Sequence, residues 1–239
     1  MRPVTDAADL EEAMARCQSE AEAAFGDSGV YLEQLVRSAR HVEVQVAADQ
    51  HGNVHVLGDR DCSLQRRRQK IVEMAPAPAL STAQRDALWS HAAAITKAAD
   101  YTGLGTVEFL LGSDETIAFI EFNARLQVEH TVTEAVTGLD LVHLQFEIAR
   151  GADLSELDVP AARGMAIQAR VNLETMEPDG SARPGGGNLT APPSLLGVVA
   201  SPAPLEHAGS APASEYEKLC VTPVVTIGPT LPPTRKLPA

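Results

Sequence analysis

The 239 residues carry a net charge of −13 and are 44% hydrophobic, enough for one large or two small domains with a sizeable core, and the acidic balance argues against nucleic acid as a partner. No apolar run approaches the ~18 residues of a membrane-spanning helix, and Met1 to Asp6 lack the apolar region of a secretory signal. Cys17, Cys62 and Cys220 are scattered and odd in number, which argues against a disulfide framework or a zinc site and for a reducing, cytoplasmic compartment.

In chain order, Leu10, Met14, Cys17, Ala21 and Phe25 follow helical spacing behind acidic residues and predict a helix over 6–25, ended at Gly26-Asp27-Ser28-Gly29. Val30 to Leu32 is a short strand candidate. From His41 to Ala47, Val42, Val44 and Val46 alternate with Glu43 and Gln45. With the turn residues Asp49 to Asn53 and a return over Val54 to Leu57, this predicts a hairpin, with a basic loop at its exit. That loop, Arg60 to Lys70, carries five cations in eleven positions. A basic island in an acidic chain suggests a local anionic ligand, and a solvated loop is the plainer alternative.

A helix is expected from Ser81 or Thr82 to Tyr101. Strands are expected over Thr106 to Leu111 and Thr116 to Phe122, joined by a turn at Gly112 to Glu115. A helix with Leu141, Leu144 and Ile148 on one stripe should end at Gly151. Met165 to Leu173 is a further strand candidate. Twelve of the 16 prolines lie at or beyond Pro178, periodicity is lost there, and most of that stretch reads as poorly structured.

The segment Ile120 to His130 carries the most chemistry. Glu121, Asn123, Arg125, Gln127 and Glu129 alternate with mostly apolar residues, so in an extended segment all five face one way. With the turn centred between Asp114 and Glu115, Glu108 lies opposite Glu121. Opposed carboxylates repel. A bound Mg²⁺ would remove the conflict, as would solvent exposure or salt bridges.

These residues resemble a known family. Glu121-x-Asn123-x-Arg125-x-Gln127-Val128-Glu129-His130 is similar to the signature of the biotin carboxylases of the ATP-grasp superfamily. So, in the same order, are Arg40-His41-x-Glu43-x-Gln45, the run Arg60-Asp61-Cys62-Ser63 to Gln69-Lys70 with Glu73 and Pro76, Gly105 to Phe109, and Arg170-x-Asn172. The resemblance covers about residues 1–190. It counts against another ATP-grasp ligase such as a carbamoyl phosphate synthase.

The resemblance implies ATP, Mg²⁺ (or Mn²⁺) and carrier-bound biotin as ligands. Glu108, Glu121 and Asn123 would hold the metal, Lys70 would contact phosphate, and His41 and Gln65 would lie beside ribose and phosphates. Glu33 and Leu35 would pair with adenine through their backbone. Arg125, Gln127 and Val128 would hold bicarbonate, with Glu129 as its general base, and Arg170 would stabilise the biotin enolate. Partners would be a biotin carboxyl carrier protein or domain, a carboxyltransferase and a second copy in a homo-oligomer, with no nucleic acid and no membrane.

The implied fold is α+β: the larger ATP-grasp lobe, an antiparallel sheet with flanking helices, over 1–157, and the start of a C-terminal domain over 158–193. A Pro/Ala-rich tail without regular structure fills 194–239; it reads as unrelated to the family, as a frame change or a shortened gene product would give. The family pattern also places an N-terminal domain, a glycine-rich lid and lysines ahead of Met1. Residues 1–239 alone are therefore expected to cleave little ATP, as a non-catalytic nucleotide-binding remnant or interaction module would. Thr131, Met165 and Gln168 depart from the usual Pro, His and Glu.

Overall fold

The computed structural model describes residues 2–66, 68–172, 174–177, 182–184, 220–221 and 224–227. They form two compact units, one ending at Ser38 and one beginning at Ala39. In the first unit a 3-10 turn, Ala7–Asp9, leads into α1, Leu10–Phe25. Gly26, at φ 70°, closes it with its N–H on the Glu22 carbonyl, as the sequence predicted. The strand expected at Val30 to Leu32 does not form. No strand pairs with it among the described residues, and three residues without a partner have no ladder to join.

The second unit is built on a seven-stranded antiparallel sheet. Its strands are β1 Arg40–Ala48, β2 Val54–Arg66, β3 Gln69–Ala75, β4 Gly103–Leu111, β5 Ile117–Asn123, β6 Met165–Ala169 and β11 Val224–Ile227, in the order β11-β6-β3-β2-β1-β4-β5. Two small ribbons pair β7, Val171–Asn172, with β10, Cys220–Val221, and β8, Glu174–Met176, with β9, Ala182–Pro184. The run read as a basic loop is instead the far half of β2 and the hairpin into β3. Its first residues, Arg60, Asp61 and Cys62, are buried, so their polarity marks an interior site and not a solvated turn. The tail read as lacking regular structure contributes β10 and β11, and the β-branched run Val224 to Ile227 suits a pleated ladder; the remainder of 194–239 lies outside the described residues.

One face of the sheet carries Val42, Val44, Val46, Val107 and Phe109 against Leu88 and Ala92 of α2, Thr82–Ala98. Ser81 and Gln84 form a reciprocal capping box at its start. The opposite face is covered by α3, His130–Thr137, and α4, Leu141–Ala149. Val132 and Val136 meet Ala75 and Ala166, and Leu141, Leu144 and Ile148 meet Ala47, Leu57 and Leu104. Helix α3 was not foreseen: the alternation read across 120–130 ends with β5 at Asn123, and the chain turns into α3 at Glu129.

Two β-bulges set the register of the polar face. Val46 pairs with Val56 but Gln45 with Gly58, so Leu57 is the extra residue and Gly58 takes φ 128°, a backbone suited to glycine. Phe109 pairs with Phe119 but Glu108 with Glu121, with Ile120 extra. Continued from its turn, the first hairpin would set Asp59 opposite Glu43, and the second would set Ile120 opposite Glu108. With the bulges, Arg60, Glu43, Glu108 and Glu121 stand in one row across β2, β1, β4 and β5. Among the described residues, no helix is long and apolar enough to cross a membrane.

Candidate functional site

Three adjacent carboxylates in a row repel one another, and cations hold this one together. Arg60, fully buried, contacts Glu43 Oε1 through Nε at 2.5 Å and Gln45 Oε1 and Thr133 Oγ1 through Nη1 at 2.9 and 2.8 Å. Its Nη2 reaches Thr106 Oγ1 at 3.3 Å. Lys70, from β3, lies over the row: Nζ donates to Glu43 Oε2 at 2.5 Å, Glu108 Oε1 at 2.8 Å and Glu129 Oε1 at 2.7 Å. Burial would lower the Lys70 pKa, but Glu43, Glu129 and Glu108 outweigh it and raise it, so the ammonium is permanent.

Glu108 is the meeting point. Besides Lys70 it accepts from Asn123 Nδ2 at 2.9 Å and Gln127 Nε2 at 2.8 Å, while Oε2 lies 2.6 Å from His41 Nε2. Gln65 Nε2 donates to the Cys62 carbonyl at 2.9 Å and to His41 Nδ1 at 2.7 Å. That leaves His41 Nε2 as the protonated nitrogen, donating to Glu108. Burial works against the Glu108 charge, but the His41 bond and Lys70 bring its pKa down to about 2. Glu129 reaches the site from the N-cap position just ahead of α3. Burial pushes its pKa up, and Lys70 and Arg60 hold it below the ordinary value, in the ionised form a base requires. Arg170, just beyond β6, donates from Nη2 to Glu129 Oε2 at 2.9 Å.

Glu73 is a group the sequence did not single out for chemistry. It is fully buried, and burial raises its pKa from 4.5 to about 7 despite Arg170. The native state therefore holds a proton on Glu73 between about pH 4.5 and 7 that the unfolded chain does not, so this group makes stability fall as pH rises through that window. Glu108 acts in the opposite sense: its contribution is present above pH 4.5 and lost toward pH 2. For Glu73→Gln, urea unfolding from pH 4.5 to 7.5 is expected to remove a decline on the order of 3 kcal/mol. Parallel profiles for variant and wild type would count against the assignment.

Of the residues expected in the site, His41, Gln65, Lys70, Glu108, Glu121, Asn123, Gln127, Glu129 and Arg170 are joined in this hydrogen-bonded set. Arg125 and Val128 are exposed beside it; Arg125 reaches Asn123 Oδ1 at 3.3 Å and the Leu126 carbonyl at 3.4 Å. Glu33 and Leu35 lie exposed on the irregular segment of the first unit. Glu43, Arg60, Glu73 and Gln168 were missed as site members. The available signal was polar residues alternating with valines in β1, which reads as a solvent face until both faces prove buried.

For a divalent cation, the test is whether hard oxygens converge. Glu108 Oε1 and Glu121 Oε1 each lie 2.9 Å from the single amide nitrogen of Asn123, so two carboxylates of facing strands already address one point. That oxygen set fits Mg²⁺ or Mn²⁺. His41, Glu43 and Glu108, and Glu43, Cys62 and Glu129, also bring potential ligand atoms within 4.8 Å. Lys70 contacts three of those carboxylates, so a cation is already present there.

Fold and polar face together are those of the ATP-grasp class. Residues 1–157 match the family described as the carbamoyl-phosphate synthase L chain, ATP binding domain, and the chain belongs to that family. It is 48% identical over 197 residues to the biotin-dependent acyl-coenzyme A carboxylase alpha3 subunit of Mycobacterium leprae, covering 82% of this chain and 32% of that one. It is 45% identical over 184 residues to the biotin carboxylase of a Nostoc species, covering 76% and 41%. Among solved structures, a Campylobacter jejuni biotin carboxylase–ATP complex superposes with a TM-score of 0.70 at 42% identity, covering 74% of this chain and 40% of that one. The biotin carboxylase domain dimer of Hydrogenobacter thermophilus 2-oxoglutarate carboxylase, holding Mg-ADP and bicarbonate, superposes with a TM-score of 0.75 at 31% identity, covering 92% and 49%. The chain spans less than half the length of each of these relatives.

Proposed function

We propose that this chain carries the ATP- and metal-handling part of a biotin carboxylase, which uses ATP and bicarbonate to carboxylate carrier-bound biotin through carboxyphosphate. The observation that carries the reading is the convergence of Glu108, Glu121 and Asn123 beside Lys70 and Glu129. Glu108, Glu121 and Asn123 would hold Mg²⁺, which when bound offsets phosphate charge during phosphoryl transfer.

The residues then divide the work. Lys70 contacts phosphate, and His41 and Gln65 border ribose and phosphates. Arg125 offers a planar fork to bicarbonate, with Gln127 and Val128 beside it. Glu129 takes the bicarbonate proton. The freed oxygen bonds to the γ-phosphorus as the bond to the departing ADP oxygen breaks, giving carboxyphosphate and ADP. Carboxyphosphate then breaks at the bond between its carbon and the phosphate oxygen, giving CO₂ and phosphate; the phosphate takes the biotin N–H proton, and Arg170 stabilises the resulting enolate, whose nitrogen bonds to the CO₂ carbon. A biotin carboxyl carrier protein or domain and a carboxyltransferase are the partners this chemistry needs, and a homo-oligomer accords with the dimer of the Hydrogenobacter relative. Residues 1–157 serve as the ATP-grasp domain and 158–193 as the start of the next. The unpaired thiols of Cys17 and Cys62 support a cytoplasmic location.

Mg-ATP calorimetry on the wild-type chain and on Glu108→Ala/Glu121→Ala tests the reading. Binding is expected to require Mg²⁺ and to disappear in the double variant. A folded wild-type chain that takes up no Mg-ATP would instead support a non-catalytic remnant of the fold.

A further inference from the structure

Arg170 has two carboxylate neighbours and is hydrogen-bonded to only one. Its Nη2 donates to Glu129 Oε2 at 2.9 Å. Its Nε lies at the same distance, 2.9 Å, from Glu73 Oε1, yet the alignment is not that of a hydrogen bond. Nε and both Glu73 oxygens are left buried without a partner. Polar atoms this deep are normally satisfied, and each exception calls for a reason. Directly across the ladder from Glu73 stands Gln168, also fully buried. Its oxygen accepts from Thr131 Oγ1 at 2.6 Å, while its nitrogen has no acceptor.

The frame around these groups is fixed. The Arg170 backbone N–H donates to the Ile71 carbonyl at 2.8 Å, and Val72 and Glu73 pair with Ala169 and Gln168. Any change in how Arg170 meets Glu73 therefore has to come from the guanidinium and not from the backbone. The charges acting on Glu73 are Arg170 beyond β6, Glu129 ahead of α3 and Glu43 on β1, with the neutral Gln168 opposite on β6. Glu129 also has Lys70 and the field of Arg60, whereas among the described residues Glu73 has Arg170 alone.

We propose that Glu73 is a positioning residue that takes Arg170 over from Glu129 when Glu129 becomes neutral. This rests on the proposed role of Glu129 as bicarbonate's base. A proton from bicarbonate on Glu129 removes the charge that holds Nη2. Loss of the Glu129 charge also removes one of the two anionic neighbours that hold the Glu73 carboxyl up. Glu73 then ionises as the anionic partner of Arg170 left among the described residues, and a small rotation aligns Nε with an oxygen already in range. The guanidinium leaves the acid it has just helped to form and comes to a second rest position on Glu73. Proton transfer and the placing of Arg170 become one coupled event, consistent with a Glu73 carboxyl that gains and loses charge near neutrality.

The test needs no nucleotide and no turnover. Glu129→Gln mimics the neutral form of Glu129, and the Arg170 Nε–H resonance in the ¹⁵N,¹H spectrum of the full chain reports its hydrogen bond. That resonance is expected to move downfield in Glu129→Gln and to return in Glu129→Gln/Glu73→Gln. Glu73→Gln alone should leave it nearly in place, because the bond is not made in the resting state. An unmoved resonance in folded Glu129→Gln overturns the handover. So does a large shift in Glu73→Gln alone, which would mean that Glu73 already holds Arg170. Mg-ATP calorimetry on the same samples separates failure of the handover from failure of the functional reading.

Discussion

Arg60→Met is expected to cost about 3–5 kcal/mol of folding stability, the usual consequence of removing one partner from a buried ion pair. Arg60 is fully buried and satisfies Glu43, Gln45, Thr133 and Thr106 from three different elements. Methionine fills much of the volume but donates nothing, so these acceptors lose a donor where water does not reach. Urea unfolding should show a midpoint lower by about 1–2 M. The diagnostic variant is Arg60→Met/Glu43→Gln. If the cost comes from the carboxylate left behind, neutralising it makes the double variant less damaged than the two single losses added together. Strict additivity would locate the cost in packing instead.

Lys70→Met has a comparable expected cost at pH 7, about 3–5 kcal/mol, with a different signature. Its ammonium is the shared partner of Glu43, Glu108 and Glu129. Without it, burial prevails and the Glu108 and Glu129 pKa values rise, so the native state binds protons that the unfolded state does not. The deficit relative to wild type should therefore shrink as pH falls from 7 toward 4.5. A deficit independent of pH would show that the lysine acts through packing of its stem. Arg60→Met should show a weaker acid recovery, because three of its four acceptors do not titrate.

The sequence carried most of the skeleton. The α1 and α2 stripes, the β1–β2 and β4–β5 hairpins and the Gly26 stop are local signals, set by periodicity and turn chemistry. The Glu108–Glu121 pairing was also legible, though for an incomplete reason: the turn is centred at residue 114, and the extra Ile120 restores the expected partner. The polar row was harder to see. Glu43 and Gln45 alternate with valines as an exposed strand face does, and only Arg60 and Lys70 closing over them, with Thr133 of α3 on Arg60, makes that face interior. Arg60 to Lys70 read as a loop because charge density imitates solvent exposure when the compensating carboxylates sit on other strands. Glu129 joins the polar set, but not by the strand period that pointed to it: that period ends at Asn123, and the turn into α3 delivers it. Glu73 and Gln168 had no local signal, since their meaning comes from a β3–β6 pairing between residues about 95 positions apart.

The bulges at Leu57 and Ile120 separate the length of each hairpin from the phase of its working residues. In an uninterrupted ladder, one residue more or fewer anywhere between turn and site reverses which side chains look inward. Here each hairpin carries a single residue of slack. A one-residue deletion between Val56 and Arg60, or between Phe119 and Glu121, can be taken up by losing the bulge, with Glu43 still facing Arg60 and Glu108 still facing Glu121. Each hairpin can thus shorten by one residue while the charged row keeps its alignment. The bulge acts as a reserve that absorbs that loss before it reaches the chemistry beneath.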